Sequence, residues 1–239
     1  MVIKALGLDF FGTLVEAEAD RDTCVSKMCD RLRECGYAID DEDFASHYRS
    51  TATEHRRTRE ADLREVNNCV WISDALRRMG YEAEPSSLNV VSTVEAYFDQ
   101  WRITLYPDAL SFLKLIRGRY TIALVSNFTD SAFLHRSLSR LGIDGFFDFV
   151  VDSDVIGWRK PHPTIFKRFL ELSAVKAGEV LFVGDDLKAD VRGAKDMGIR
   201  AVFLARPGRK LDPGGDSGIQ PDFVVSSLTE LGKLLDEGL

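Results

Sequence analysis

Short apolar runs rich in β-branched residues alternate along this chain with segments of helical periodicity, and few folds accommodate that alternation. Residues 3–8, 121–125, 147–151, 180–183 and 201–204 read as strands. Helical patterns fill the gaps at 108–117, 131–141, 163–172, 188–197 and 228–237, several of them followed by a capping glycine. Strands too apolar to face water, each returning through a helix, predict a doubly wound α/β architecture with a parallel sheet.

One stretch breaks the alternation. From 17 to 104 the spacing is helical and no strand stands out, so an α-helical domain is expected as an insertion. Its predicted helices are 21–35, 42–58, 63–79 and 86–101, with Gly36 and Gly80 as stops and Asp40 and Pro85 near starts. The expected division is 1–16 with 105–239 as the α/β core and 17–104 as the insert, joined through 14–20 and 104–107. Pro213-Gly214-Gly215 reads as a surface loop.

Composition narrows the partners. A net charge of −7, with the 31 basic residues dispersed, offers no stripe for nucleic acid or an anionic membrane, so a small-molecule substrate is expected. The apolar run before Asp9 is too short to span a bilayer and precedes no cleavage-like site; it reads as a buried strand of a cytoplasmic protein. Cys24, Cys29, Cys35 and Cys69 form no C-x-x-C pair and read as reduced structural thiols. The oligomeric state stays open, because apolar helix faces serve internal packing and dimer interfaces alike.

In an open parallel sheet, reactive groups gather at the carboxyl ends of the strands. Asp9, Ser126 and Asp185 stand there; any one of them alone could be a helix cap. The segment Leu8-Asp9-Phe10-Phe11-Gly12-Thr13-Leu14 resembles the first motif of the haloacid dehalogenase-like (HAD) superfamily, an Asp, two residues, then Gly-Thr. Val125-Ser126-Asn127, Trp158-Arg159-Lys160-Pro161 and Gly184-Asp185-Asp186 with Asp190 resemble the second, third and fourth motifs, in order and over essentially the whole chain.

The resemblance implies a Rossmann-like HAD core, a helical cap of the superfamily's first cap type, and covalent catalysis by Asp9 with Mg²⁺. It implies metal ligands from Asp9, Asp185 and the backbone carbonyl of Phe11, which suits an ion that prefers hard oxygens. Ser126, Asn127, Gly12 and Thr13 would meet the transferring group. Lys160 would offset charge, with Asp190 orienting it. Asp186 is left open between metal ligand, hydrogen-bond acceptor behind the metal, and helix N-cap.

The departure from the pattern is Phe11. HAD phosphatases usually carry there a second aspartate that protonates the leaving oxygen and later activates water. Phenylalanine transfers no protons, and a lost general acid/base forfeits roughly 10²–10⁴-fold in rate. Three readings follow: a phosphohydrolase restricted to acyl or aryl leaving groups, or one recruiting another acid such as His55 or Asp20; a 2-haloacid dehalogenase, whose family places tyrosine at this position but lacks the metal-site acids; or a pseudoenzyme that binds metal or phospholigand. The first is preferred because the other motif residues are kept. In the insert, His55-Arg56-Arg57-Thr58-Arg59 reads as a solvated helix face rather than an anion site, and Trp71, Tyr97, Phe98 and Trp101 as core.

Overall fold

The structure is a computed structural model, and it describes residues 2–208 and 218–239. In chain order come β1 (Ala5–Leu8), β2 (Val15–Glu18), α1 (Arg21–Glu34), α2 (Asp41–Asp62), α3 (Asn68–Arg78), α4 (Leu88–Phe98) and β3 (Arg102–Leu105). There follow α5 (Ala109–Ile116), β4 (Thr121–Ser126), α6 (Ser131–Arg140), β5 (Phe149–Asp152), α7 (Ser153–Ile156) and α8 (Pro163–Ser173). The chain ends with β6 (Val180–Gly184), a π-helical turn at Leu187–Arg192, α9 (Gly193–Asp196), β7 (Arg200–Leu204), β8 (Phe223–Val225) and α10 (Leu228–Asp236).

Six parallel strands form one sheet in the order β5-β4-β1-β6-β7-β8. From central β1 the chain winds outward through β4 and β5, then crosses back to β6 and continues to β8. The order therefore reverses at β1, where an open α/β sheet leaves a crevice at its carboxyl edge. Alternate residues feed two cores. Leu6, Leu8, Ile122, Leu124, Leu181 and Val183 join one cluster; Ala5, Ala123, Val125, Val180 and Phe182 join the other, against Phe166 and Phe169 of α8. A one-residue slip would exchange these faces and drive large side chains into space fitted to Ala5, Gly7 and Ala123, where Phe182 and Phe169 leave no room even for a Cβ at Gly7, so the register is pinned.

The insert is helical as expected, with two corrections. The first is an antiparallel ribbon across the two ends of 17–104, where no strand was expected: β2 pairs with β3, Val15 opposite Leu105 and Glu18 opposite Arg102. Val-Glu-Ala-Glu carries little apolar signal, and its partner lies beyond four helices, so no hairpin turn marks it. The second concerns the helix expected at 63–79. Helix α2 instead continues to Asp62, Leu63 turns left-handed at φ 60°, and α3 begins only at Asn68, capped by Asn67. The extended link docks on the core: Glu65 N donates to Gly157 O at 3.0 Å, Arg159 N donates to Leu63 O at 2.8 Å, and the buried Glu65 carboxylate pairs with Arg159.

Cys24, Cys29 and Cys69 lie on helices α1 and α3 as free thiols, and burial pushes Cys29 up to about 12. Strand β8 was not foreseen, and the loop expected at 213–215 lies outside the described residues. No helix among the described residues is long and apolar enough to cross a membrane.

Candidate active site

Asp9 is the first residue past β1, where its N–H donates to Val183 O at 2.9 Å and ties it to the neighbouring strand. From β4, Ser126 reaches the same edge; beyond β6 comes Asp185. One carboxylate oxygen each from Asp9, Asp185 and Asp190 lie within 4.8 Å of one another. Lys160 closes the group. Its buried Nζ donates to Asp9 Oδ1 and Val125 O, both at 2.7 Å, and lies 2.8 Å from Asp190 Oδ1.

Burial alone would lower the Lys160 pKa, but the Asp190 and Asp9 charges beside it outweigh that, and it lies above the ordinary lysine range. Burial raises the Asp190 carboxyl; Lys160 opposes, while Asp9 and Asp185 push the same way. An ammonium facing two acids thus keeps its charge where an isolated one would surrender it.

Local structure explains how these groups are held. Asn127 receives Lys160 N at 2.7 Å on Oδ1 and returns Nδ2 to Lys160 O at 2.9 Å, so its side chain clamps the lysine's backbone. The π turn after β6 brings Asp190 inward, and its Oδ2 accepts Asp186 N at 3.1 Å. The Asp190 carboxylate fills the space where a side chain at Gly184 would begin. Gly184→Ala should therefore displace it and lower stability by about 1–3 kcal/mol, read as a reduced midpoint in urea unfolding.

The remaining residues divide. Asp186 is a helix cap, its Oδ1 accepting Lys188 N at 2.8 Å and Ala189 N at 2.7 Å. Gly12, at φ 86°, makes a turn an L side chain would strain, and donates its N–H to Val15 O at 2.7 Å. Thr13 is buried with Oγ1 3.5 Å from Asp185 Oδ1. Ser126 Oγ is buried with no partner among the described residues.

A cavity of about 880 Å³ lies between this edge and the insert. Phe11, Gly12 and Asn127 wall it on one side. The Phe11 ring packs on Phe128 and Phe10, with centroids 5.0 and 4.8 Å away. Neither acid expected to replace the missing aspartate lines it. His55 Nε2 is 2.9 Å from Asp74 Oδ2, with its ring stacked on Trp71, and Asp20 caps α1.

Two expectations about the insert need correction. Arg57 and Thr58 are exposed as expected of a solvated face, but Arg56 and Arg59 lie on the other face of α2 and line the cavity. Trp71 and Phe98 are core and cavity wall at once. Arg206 and Glu16, both in the wall, stand in no motif that marks them in the sequence. A run of charges shows its inward members only when the helix phase is tied to buried positions, here Tyr48 and Ala52.

The model of the haloacid dehalogenase-like hydrolase family matches residues 3–198. A ribulose-1,5-bisphosphate 5-phosphatase of Halopiger xanaduensis is 28% identical over 212 residues, 87% of either chain. The pyrimidine 5′-nucleotidase YjjG of Escherichia coli is 34% identical over 187 residues, 73% of this chain and 81% of that one. A 2-haloacid dehalogenase from Pseudomonas syringae is similar in fold, with a TM-score of 0.70 at 19% identity over 99% of both chains. By its sequence, its capped parallel sheet and the extent of that match, the chain belongs to the haloacid dehalogenase-like hydrolases.

Proposed function

We propose that this chain is a Mg²⁺-dependent phosphohydrolase acting on a small phosphorylated compound through an aspartyl-phosphate on Asp9. The observation that carries the reading is the carboxylate cluster of Asp9, Asp185 and Asp190 with one buried ammonium set into it. Three close carboxylates against one lysine leave negative charge uncompensated, which a divalent cation would balance. Attack on carbon with halide release has no use for such a cluster. The two relatives named for phosphatase and nucleotidase activity support the same choice.

Asp9 and Asp185 would hold the ion together with the Phe11 carbonyl, and Asp190 serves Lys160. When bound, the ion polarises a phosphoryl oxygen and screens its charge. An Asp9 oxygen attacks phosphorus, the bond to the leaving oxygen breaks with its electron pair, and water later cleaves the acyl phosphate to regenerate the carboxylate. Lys160 offsets charge on nucleophile and phosphoryl group, Ser126 Oγ donates to a phosphoryl oxygen, and Asn127 acts through the Lys160 backbone. Residues 1–16 with 105–239 carry this chemistry, while 17–104 form the cap that excludes water. Phe11 confines the enzyme to leaving groups that depart unprotonated, such as aryl or acyl phosphates.

The test is product release from p-nitrophenyl phosphate, acetyl phosphate and L-2-chloropropionate, each with Mg²⁺ and with EDTA. Phosphate release is expected only with Mg²⁺. The ion should also raise the melting temperature, its binding adding about 2.7 kcal/mol at a hundred times its Kd. Phe11 gives dehalogenation its one point of support, and chloride release that persists in EDTA would overturn the phosphohydrolase in its favour.

A further inference from the structure

Among the described residues, five arginines line the cavity, Arg21, Arg56, Arg59, Arg159 and Arg206, against one acid, Glu16. Two of them are neutralised where they stand. Arg206 lies 3.0 Å from Asp108 Oδ1 and donates to Thr13 O at 2.7 Å, and Arg159 pairs with Glu65. Arg56 and Arg59 differ. One turn apart on α2 and half-buried, they place their guanidinium carbons 5.9 and 5.5 Å from the centroid of one ring, Trp71.

Arg56 makes no ion pair among the described residues. Arg59 comes only within 3.9 Å of Glu65, an acid already engaged by Arg159. Burial, and then the charge of Arg159, pull Arg59 down to about 10, with Glu65 opposing. Trp71, 4% exposed, has an indole N–H with no acceptor among the described residues. Donors concentrated at that depth without acceptors are the signature of a site completed by an anion. The cavity volume matches that of a whole small ligand and far exceeds the needs of one phosphoryl group.

We infer that Arg56, Arg59 and the Trp71 N–H form a second anion subsite, and that the substrate carries a further phosphate or carboxylate at the end remote from the transferred phosphate. The inference rests on the phosphohydrolase reading for the role of the first phosphate. Guanidinium forks match either group bidentately, and the insert would thereby select for length as well as charge.

The test is calorimetric binding to full-length Asp9→Asn protein with Mg²⁺, where no turnover is required. Its ligands are short-chain α,ω-diol bisphosphates of graded length, the phosphorylated ω-hydroxy acids and the corresponding alkyl monophosphates. The best doubly anionic ligand should bind about tenfold more tightly than its monophosphate, and the two series show whether phosphate or carboxylate is preferred. Arg56→Gln, which breaks no ion pair, should reduce that advantage, and Arg56→Gln with Arg59→Gln should remove it. Arg57→Gln, on the exposed face, should leave it intact. Equal binding of single and double anions overturns the subsite, as does an advantage that survives the double substitution or disappears equally in Arg57→Gln. Because binding is read without catalysis, a subsite found in a protein that hydrolyses no phosphate would sink only the catalytic reading.

Discussion

Asp9→Asn is expected to lower phosphate release by at least about 10³-fold while leaving the metal-free fold as stable as the parent, or more so. The asparagine amide has no anionic oxygen to form an acyl phosphate. Its effect on stability has the opposite sign, because Asp9 shares a space of 4.8 Å with Asp185 and Asp190, and removing one charge relieves their repulsion. Lys160 keeps Asp190 at 2.8 Å and Val125 O at 2.7 Å. Phosphate release and a thermal melt in EDTA, on the same preparation, check both halves. Activity within tenfold of the parent would remove the aspartyl-phosphate from the mechanism, and a melt several degrees lower would make Asp9 a structural acid.

Phe11→Asp is expected to raise the hydrolysis of alkyl phosphates by about 10²–10⁴-fold and that of aryl or acyl phosphates far less. An alkoxide leaves poorly without a proton, whereas a nitrophenolate or carboxylate leaves unaided, so the ratio between substrates reports the restored acid. The exchange gives up the contacts of the Phe11 ring with Phe10, Phe128 and Trp101, each worth about 0.5–1.5 kcal/mol beyond area burial. The variant should therefore melt lower while working faster on alkyl substrates. An equal rise for all substrates would point to a wider cavity and not to proton transfer.

The α/β sheet was legible in the sequence because its central strands are buried on both faces and read as unbroken apolar runs, with polar residues where the runs stop. Asp9, Ser126 and Asp185 follow from that. The ribbon of β2 and β3 was not legible, since its strands are four residues each, alternate toward solvent and meet only after α1–α4 have intervened. Phe223-Val224-Val225 was too short to stand out from its loop. Asp186 and Asp190 illustrate another limit. Both are acids in one turn, yet one caps the turn and the other reaches Lys160, and only the wide π geometry separates their directions. The cavity-facing arginines were hidden among exposed ones for want of a helix phase.

The docking of the 63–65 link on the core has a consequence for timing. A ribbon alone would let the insert swing like a door on one hinge. The link adds a latch, and the latch is fastened to Gly157 and Arg159, with Lys160 next in line. Lifting the insert far enough to admit a bulky ligand must release these bonds and so tug on the segment that presents the ammonium. If Asp9 attacks as proposed, opening the chamber would be geared to the charge that steadies it, and the site would be fully set only when shut.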